Sequence, residues 1–400
     1  MEIKNNKLFI LLMTFAVGTM AANIYYAQPI LKVLAGTLGI RPDAAGLIMT
    51  LTQIGYGLGV LFVVPLGDLI SNKKLIQAMI AVTIVAEIAL GFSHHFLSFS
   101  FALVLAGLGA STVQIIVPYV SHLYDSSQRG QVLGTLMSGL MLGIMLSRPI
   151  ASLLTDLISP SAVFFLSAIV MTLLLIQLTR LMPERKPETN GLKYQQLILS
   201  MKDLLFNTQI LRRRAIYQSL MFAAFCLFWT VVPLHLMQNF QFTQSQIALF
   251  ALIGVAGAVV APLAGKMADK GHSRKATLIA FISAAVAFAV SYFLTSGSWV
   301  TLVLLALTAN LLDAGVSAHL VLGQRAIFSI DPKSQSRLNG LYIAIIFVGG
   351  AFGSGVGAWL YTHGGWASTS VAGTLLSMTA LFLLLTEGIF GYKENLSLAK

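Results

Sequence analysis

Gly265-Lys266-Met267-Ala268-Asp269-Lys270-Gly271-His272-Ser273-Arg274-Lys275 is a short charged break between two long apolar stretches. The chain carries a counterpart near its start, Pro65-Leu66-Gly67-Asp68-Leu69-Ile70-Ser71-Asn72-Lys73-Lys74, in the same setting. Asp68 and Asp269 stand 201 positions apart, half of the 400 residues. A second pair follows each loop: Ser127-Gln128-Arg129-Gly130, and Gln335-Ser336-Arg337-Leu338. Two charged loops recurring at half-chain spacing read as an internal duplication. An aspartate at such a position can accept from the free N–H groups of the helix that follows and favours that helix's dipole.

Working outward, the residues between these loops are nearly all apolar. Hydrophobic residues make up 57% of the chain and charged residues 10%, against roughly 25% charged in an average soluble domain. So few charges suit a chain whose solvent is a bilayer. Twelve stretches are long enough to span: about 8–29, 44–66, 75–93, 98–121, 131–152, 161–182, 214–237, 244–265, 276–295, 300–323, 338–361 and 367–390. Each covers the roughly 20 residues that a helix needs to cross about 30 Å of hydrocarbon. Their continuous apolar character, without alternation over ten residues, excludes barrel strands. The basic start followed by an apolar run resembles a signal peptide. The run continues to about Pro29 and more follow, so it is read as a retained first helix.

Charge placement sets the orientation. With the N-terminus inside, 22 of the 25 lysines and arginines fall on the cytoplasmic side, among them Lys4, Lys333, Lys393 and Lys400. Lys32 and Arg41 fall outside, and Arg148 lies within a stretch. This bias predicts both termini in the cytoplasm and accounts for the net charge of +11 without nucleic acid. The longest polar break splits the chain into a six-helix bundle at 1–182, a linker at 183–213 and a second six-helix bundle at 214–400. Within the linker, Tyr194, Leu197, Ile198, Met201, Leu204 and Leu205 share one helical face. That pattern predicts an amphipathic helix on the cytoplasmic surface, tethering the halves. The lone Cys226 allows no internal disulfide, and the seven histidines show no ligand spacing, so no metal is expected. No phosphate loop is present, which leaves ATP drive unsupported. No cofactor is expected, and no nucleophile–base set points to an enzyme.

The paired loops resemble the signature of the major facilitator superfamily, Gly-x-x-x-Asp-Arg-x-Gly-Arg-Arg. The second copy matches at Gly265, Asp269, Lys270, Arg274 and Lys275. In the first, Val64 replaces the glycine, Leu69 the arginine, and Ser71 and Asn72 the next two positions. The resemblance covers the whole chain and implies an all-α membrane fold of twelve helices in two pseudo-symmetric bundles. Asn23-Ile24-Tyr25-Tyr26-Ala27-Gln28-Pro29, Ser336-Arg337-Leu338-Asn339-Gly340-Leu341-Tyr342 and Gly349-Gly350-Ala351-Phe352-Gly353-Ser354 are similar to a bacterial branch of exporters. That branch comprises drug–proton antiporters and sugar-efflux permeases. Two departures stand out. Leu103 sits before Gly107 and Gly109, where antiporters often carry an arginine. Arg148 intrudes into the small-residue series Gly139, Gly143, Ser147 and Pro149. The resemblance also implies that Asp68 and Asp269 belong to a conformational latch that holds the cytoplasmic side in the outward-facing state, with Arg129 and Arg337 as partners and Arg274 in the same loop.

Charges inside the apolar stretches carry the sharpest signal, since each costs about 2.5–3.5 kcal/mol at a helix centre on insertion scales. They are Glu87, Arg148, Asp313 and Glu387. Asp313 shares a helical face with Asn310, Ser317 and Gln324, which predicts a polar stripe lining a cavity. Desolvation there would favour its neutral form and let it carry a proton; a packing bond to a neighbouring helix is the plainer explanation. Arg148 could snorkel to the interface, anchor an anionic substrate, or pair with Asp313. Glu87 and Glu387 are expected at the periphery. Asn23 and Tyr26 in the first stretch, Gln114 in the fourth, and Phe222, Phe225 and Trp229 in the seventh complete the candidate cavity, a mixture suited to amphipathic ligands. Gly55 and Gly59, Gly139 and Gly143, and Gly349, Gly353 and Gly357 are read as packing seams.

Together these features predict a monomeric secondary transporter of the bacterial cytoplasmic membrane whose partners are a small-molecule substrate, protons and lipid. Proton-coupled efflux of amphipathic or drug-like molecules by alternating access is the leading expectation. The alternatives are a uniporter or symporter for a sugar, amino acid or organic anion, and a non-transporting receptor on the same scaffold.

Overall fold

The computed structural model describes residues 7–187, 193–254, 256–331 and 334–388. Lys4, Lys333, Lys393, Lys400, part of the linker and the last residues of the final apolar stretch lie outside the described residues. The first half contains α1 (Lys7–Ala22), α2 (Leu31–Thr37), α3 (Leu47–Leu58), α4 (Asn72–Phe92), α5 (Phe96–Ala110), α6 (Val113–Leu123), α7 (Ser126–Leu157) and α8 (Ala162–Leu181). The linker helix is α9 (Tyr194–Asn207). The second half contains α10 (Gln209–Asn239), α11 (Gln244–Ala251), α12 (Ala256–Asp269), α13 (Ser273–Ser291), α14 (Trp299–Phe328) and α15 (Gln335–Leu385). No strand occurs among the described residues.

Nine helical runs among the described residues are long and apolar enough to cross a membrane. The twelve expected stretches all fall on helix, but they are not twelve separate elements. α15 holds two of them in 51 residues, reversing at Gly365 with φ 64° and ψ −160°. That backbone region is open to glycine alone, so no polar loop is needed to separate the two spans. The eighth stretch is broken between α11 and α12, and the fourth between α5 and α6 at Ser111 and Thr112. The first ends early: α1 stops at Ala22 and the chain turns before α2. Pro29 explains part of this, since it lacks an N–H and disfavours helical geometry in the residue before it.

The duplication shows in the packing. In the first half α1 packs on α7, α3 on α5, and α4 on α8; in the second, α10 packs on α15, α12 on α14, and α13 on α15. Glycines set the closest of these approaches. A Cβ on Gly143 would stand 2.0 Å from the Gly18 carbonyl oxygen, and one on Gly353 would stand 2.0 Å from that of Ala223. Both seams are among the glycine series expected to let helices approach. Large apolar side chains such as Leu97, Phe101, Phe293 and Trp299 face outward, at 72–83% exposure, as a lipid-facing surface requires.

The halves meet along α3 with α15, and along α7 with α11. On the face away from the linker, the Thr50 hydroxyl donates to the Ala351 carbonyl at 2.8 Å, and the Ser245 hydroxyl donates to Asp156. On the linker side, Asn339 donates to Gln114 at 3.1 Å and Tyr56 stacks on Phe347 at 4.1 Å. There α12 packs on α13 and α14 rather than on α7, and nothing lies within 4 Å of where a Cβ would stand on Gly130 or Gly134 of α7. The linker-side ends of α7 and α12 are therefore apart while their opposite ends are joined. α9 buries Leu197 and Met201 and touches both halves: the Tyr194 hydroxyl donates to the Phe62 carbonyl, and Arg337 donates to Ser200.

Candidate functional site

The halves converge on Trp229 of α10, which is 2% exposed. Its indole Nε1–H donates to Asp313 Oδ1 at 2.9 Å. Over its face lies the Arg148 guanidinium, 4.3 Å from the ring centroid, within cation–π range. Arg148 comes from α7 of the first half and Asp313 from α14 of the second, so one indole touches a cation and an anion from opposite halves. Among the described residues no ion pair within 4.0 Å joins the two charges. The break between α11 and α12 also bears on the carboxylate: a Cβ on Gly254 would stand 2.8 Å from Asp313 Oδ2 and 3.0 Å from Trp229. Interrupted helices at a buried polar site are a recurrent feature of transporters.

Arg148 is held from the first half. Its Nε–H donates to Gln28 Oε1 at 2.9 Å, and Tyr25 and Phe225 lie 5.3 and 5.7 Å from it. Arg148 Nη2 and Gln28 Nε2 are buried without a hydrogen-bond partner. Beside them is a cavity of about 10 Å³ lined by Pro29, Arg148, Trp229, Val232, Pro233, Leu236, Ile247, Phe250 and Ala251, room for about one water. Toward the linker side an aromatic column follows, in which Phe225 stacks on Phe222 at 5.6 Å and Phe222 meets Phe347 at 5.2 Å. Gln53 of α3 closes its flank, donating to Cys226 Sγ and Ser354 Oγ, both at 3.3 Å.

The structure brings together Arg148, Asp313, Trp229, Phe222 and Phe225 from the expected set. It places others elsewhere. Asn23 accepts from Ser167 of α8 at 2.7 Å, inside the first half. Tyr26 joins a separate apolar cluster with Leu103, Phe99 and Phe164, and Tyr25 takes the central position instead. Helical periodicity fails there because the helix has already ended at Ala22. Asn310 bonds its own helix through the Ala306 carbonyl, and Ser317 is half-buried without joining the central group. Gln114 and Gln324 both bond Asn339, nearer the linker side, with Gln114 also donating to the Tyr56 hydroxyl at 3.0 Å.

Arg148 does not snorkel; at 4% exposure it is buried in the interior. Glu87 is buried with Oε2 unpartnered, within electrostatic reach of Tyr26. Glu387 accepts from the Tyr217 hydroxyl at 2.9 Å. Sequence reasoning missed a buried polar group in the second half: His319 Nδ1 contacts Gln218 Oε1 at 2.6 Å, and Arg214 is buried and donates to Thr277. It also passed over Gln28, although Gln28 belongs to one of the motifs quoted above, and Gln53 of the second stretch, from which no cavity residue was expected.

The latch is expected where its side of the molecule is closed; in the present conformation the linker-side ends of α7 and α12 stand apart, and the loop charges pair as follows. Asp269 forms its ion pair with Arg325 of its own half. Arg337 donates instead to Ser200 and Ser334, and Arg129 to the Tyr124 carbonyl. Asp68 is exposed, with Arg337 and Arg185 in electrostatic reach, and Arg274 is exposed in the second loop. Arg325 is close to Asp269 because α12 and α14 pack together within one half.

Comparison with known proteins agrees with this architecture. The pattern of the family described as Major Facilitator Superfamily matches residues 10–310 and 215–393. The chain is 35% identical over 375 residues to the uncharacterized transporter YgaY of Escherichia coli O157:H7, covering 94% of each. Among solved structures, nucleoside transporter NupG superposes with a TM-score of 0.74 at 11% identity, over 96% of this chain and 100% of that one. A D-xylose-proton symporter superposes at 0.73 with 13% identity, over 93% and 96%. With apolar helices built in two matching halves around a buried polar centre, the chain belongs to the Major Facilitator Superfamily and is a multi-pass membrane transporter.

Proposed function

We propose that this chain carries small amphipathic molecules across the bacterial cytoplasmic membrane by proton-coupled alternating access, with Asp313 as the proton-carrying group. The observation that carries this reading is the Trp229 indole, touched by Asp313 at 2.9 Å and by Arg148 at 4.3 Å. A carboxylate and a guanidinium from opposite halves share one ring, so a change of charge at Asp313 alters the attraction between the halves. Burial strengthens that attraction, because the interior screens charges less than water does. The aromatic column of Phe222, Phe225 and Trp229 offers the apolar wall for substrate. The excess of basic residues on the linker side supports reading it as the cytoplasmic face. Efflux in exchange for protons is the mode expected from sequence, and co-movement with protons is the other mode open to such a site.

The test is Asp313→Asn in the purified, reconstituted protein. The variant is expected to keep substrate exchange across the membrane and to lose accumulation driven by an imposed pH gradient. Full gradient-driven accumulation in that variant would remove Asp313 from the mechanism.

A further inference from the structure

The central site holds hydrogen-bonding capacity that its own residues do not use. Arg148 has five N–H donors and no acceptor. Its Nε is satisfied by Gln28, while Arg148 Nη2 and the neighbouring Gln28 Nε2 have no partner. Arg148 is 4% exposed and Gln28 fully buried. Unmade donors on buried groups are costly, and one on each of two hydrogen-bonded neighbours calls for an acceptor with at least two lone-pair positions. The cavity beside Arg148, with Trp229 and Phe250 in its wall, admits one water-sized acceptor in this conformation; the rest of a substrate would occupy space opened as the halves move.

Resting on the reading of Asp313 as the proton carrier, we infer that the substrate is an organic monoanion, a carboxylate or sulfonate on a planar aromatic body. Arg148 Nη2 and Gln28 Nε2 bind its charged end, Trp229 and Phe225 its ring, and the proton on Asp313 travels with it in the same direction.

Charge balance supplies the direction of coupling. The titratable groups in electrostatic reach of Arg148 are Asp313, Tyr25 and Cys226; the phenol and thiol are neutral at neutral pH, leaving one cation and one carboxylate. Empty, with Asp313 ionised, the site is neutral. Loaded with an anion and a proton it is neutral again. An anion alone leaves it negative, and a proton alone leaves it positive. Burying a net charge is costly, so the two neutral forms are the ones that change conformation readily. Exchange of anion for proton would require both charged forms. A cationic substrate would meet Arg148.

The experiment uses the full-length protein in liposomes, with benzenesulfonate, 4-hydroxybenzenesulfonate and 2-naphthalenesulfonate as probes, because these remain ionised and cross lipid poorly on their own. At least one sulfonate is expected to enter under an inward proton gradient, acidifying the interior as it does, at a rate unchanged by a clamped membrane potential. After subtraction of entry into protein-free liposomes, protein-dependent uptake of its neutral sulfonamide and of the matching aryl amine is expected to be about 30-fold slower or worse, the loss typical of removing a buried charged partner. Arg148→Gln should abolish the preference for the anion. The comparison of analogues on the unaltered protein stands even if that variant does not fold. Equal or better transport of the amide or amine, no uptake of any sulfonate, or alkalinisation of the interior would overturn the inference. If proton coupling through Asp313 persists with neutral or cationic substrates, only this inference falls; if sulfonate moves without Asp313-dependent protons, the parent reading falls.

Discussion

Trp229, Arg148 and Asp313 form one unit in which each side chain restrains the next. Gln28 anchors it from the first half through Arg148 Nε. Gln28→Leu removes the acceptor from a buried guanidinium and is expected to destabilise the protein by about 1–3 kcal/mol, read as a lowered melting temperature in detergent. Gln28→Glu supplies a stronger acceptor at the same place. With Asp313 protonated the site stays neutral, so the variant should preserve the melting temperature at acidic pH while abolishing anion binding, since the new carboxylate occupies the guanidinium. Equal melting temperatures for the leucine variant and the unaltered protein would show that Arg148 finds another partner. At this scale the sequence was legible where chemistry alone decides. An arginine and an aspartate inside apolar stretches announced themselves by their cost. Which neighbours they meet was not legible, because the chain leaves helical geometry after Ala22 and turns Tyr25 rather than Tyr26 toward the centre.

Among the elements, backbone proximity decides what is tolerated. A Cβ at Gly143 would meet backbone of α1 at 2.0 Å, so the helices themselves must part. Gly143→Ala is expected to cost about 1–3 kcal/mol through overpacking. Gly365→Ala is expected to cost a similar amount, about 1–3 kcal/mol, through its positive φ. Gly36 lies in α2 with nothing within 4 Å of the added carbon, and Gly36→Ala should leave stability unchanged or slightly raised. Thermal unfolding of the three variants checks the ranking; a Gly36 variant less stable than the Gly143 variant would contradict it. Hydropathy located the helices because a bilayer demands long apolar runs. It did not locate the breaks at 252–254 and Ser111–Thr112, nor the fusion at Gly365, because local backbone geometry barely alters composition.

For the whole molecule, the duplication read from Asp68 and Asp269 reappears as matched helix pairings in the two halves. The latch was less legible: Asp269 finds Arg325 within its own half, since which charges meet depends on the conformation the halves adopt. In the present conformation α7 and α11 are joined on the face away from the linker, while α7 and α12 stand apart on the other. If Asp313 links proton binding to rocking of the halves, its protonation must shift the balance between this arrangement and its opposite. Spin labels at Leu157 and Leu249 report the first face, and labels at Arg129 and Lys266 the linker side, in a protein with Cys226 replaced by serine. The decisive measurement is the pair of inter-label distances on acidification, with and without Asp313→Asn. The account predicts opposite changes at the two faces in the protein that keeps Asp313, and no response to acidification in the asparagine variant. Distances that ignore pH when Asp313 is present, or that respond equally in its absence, would contradict it.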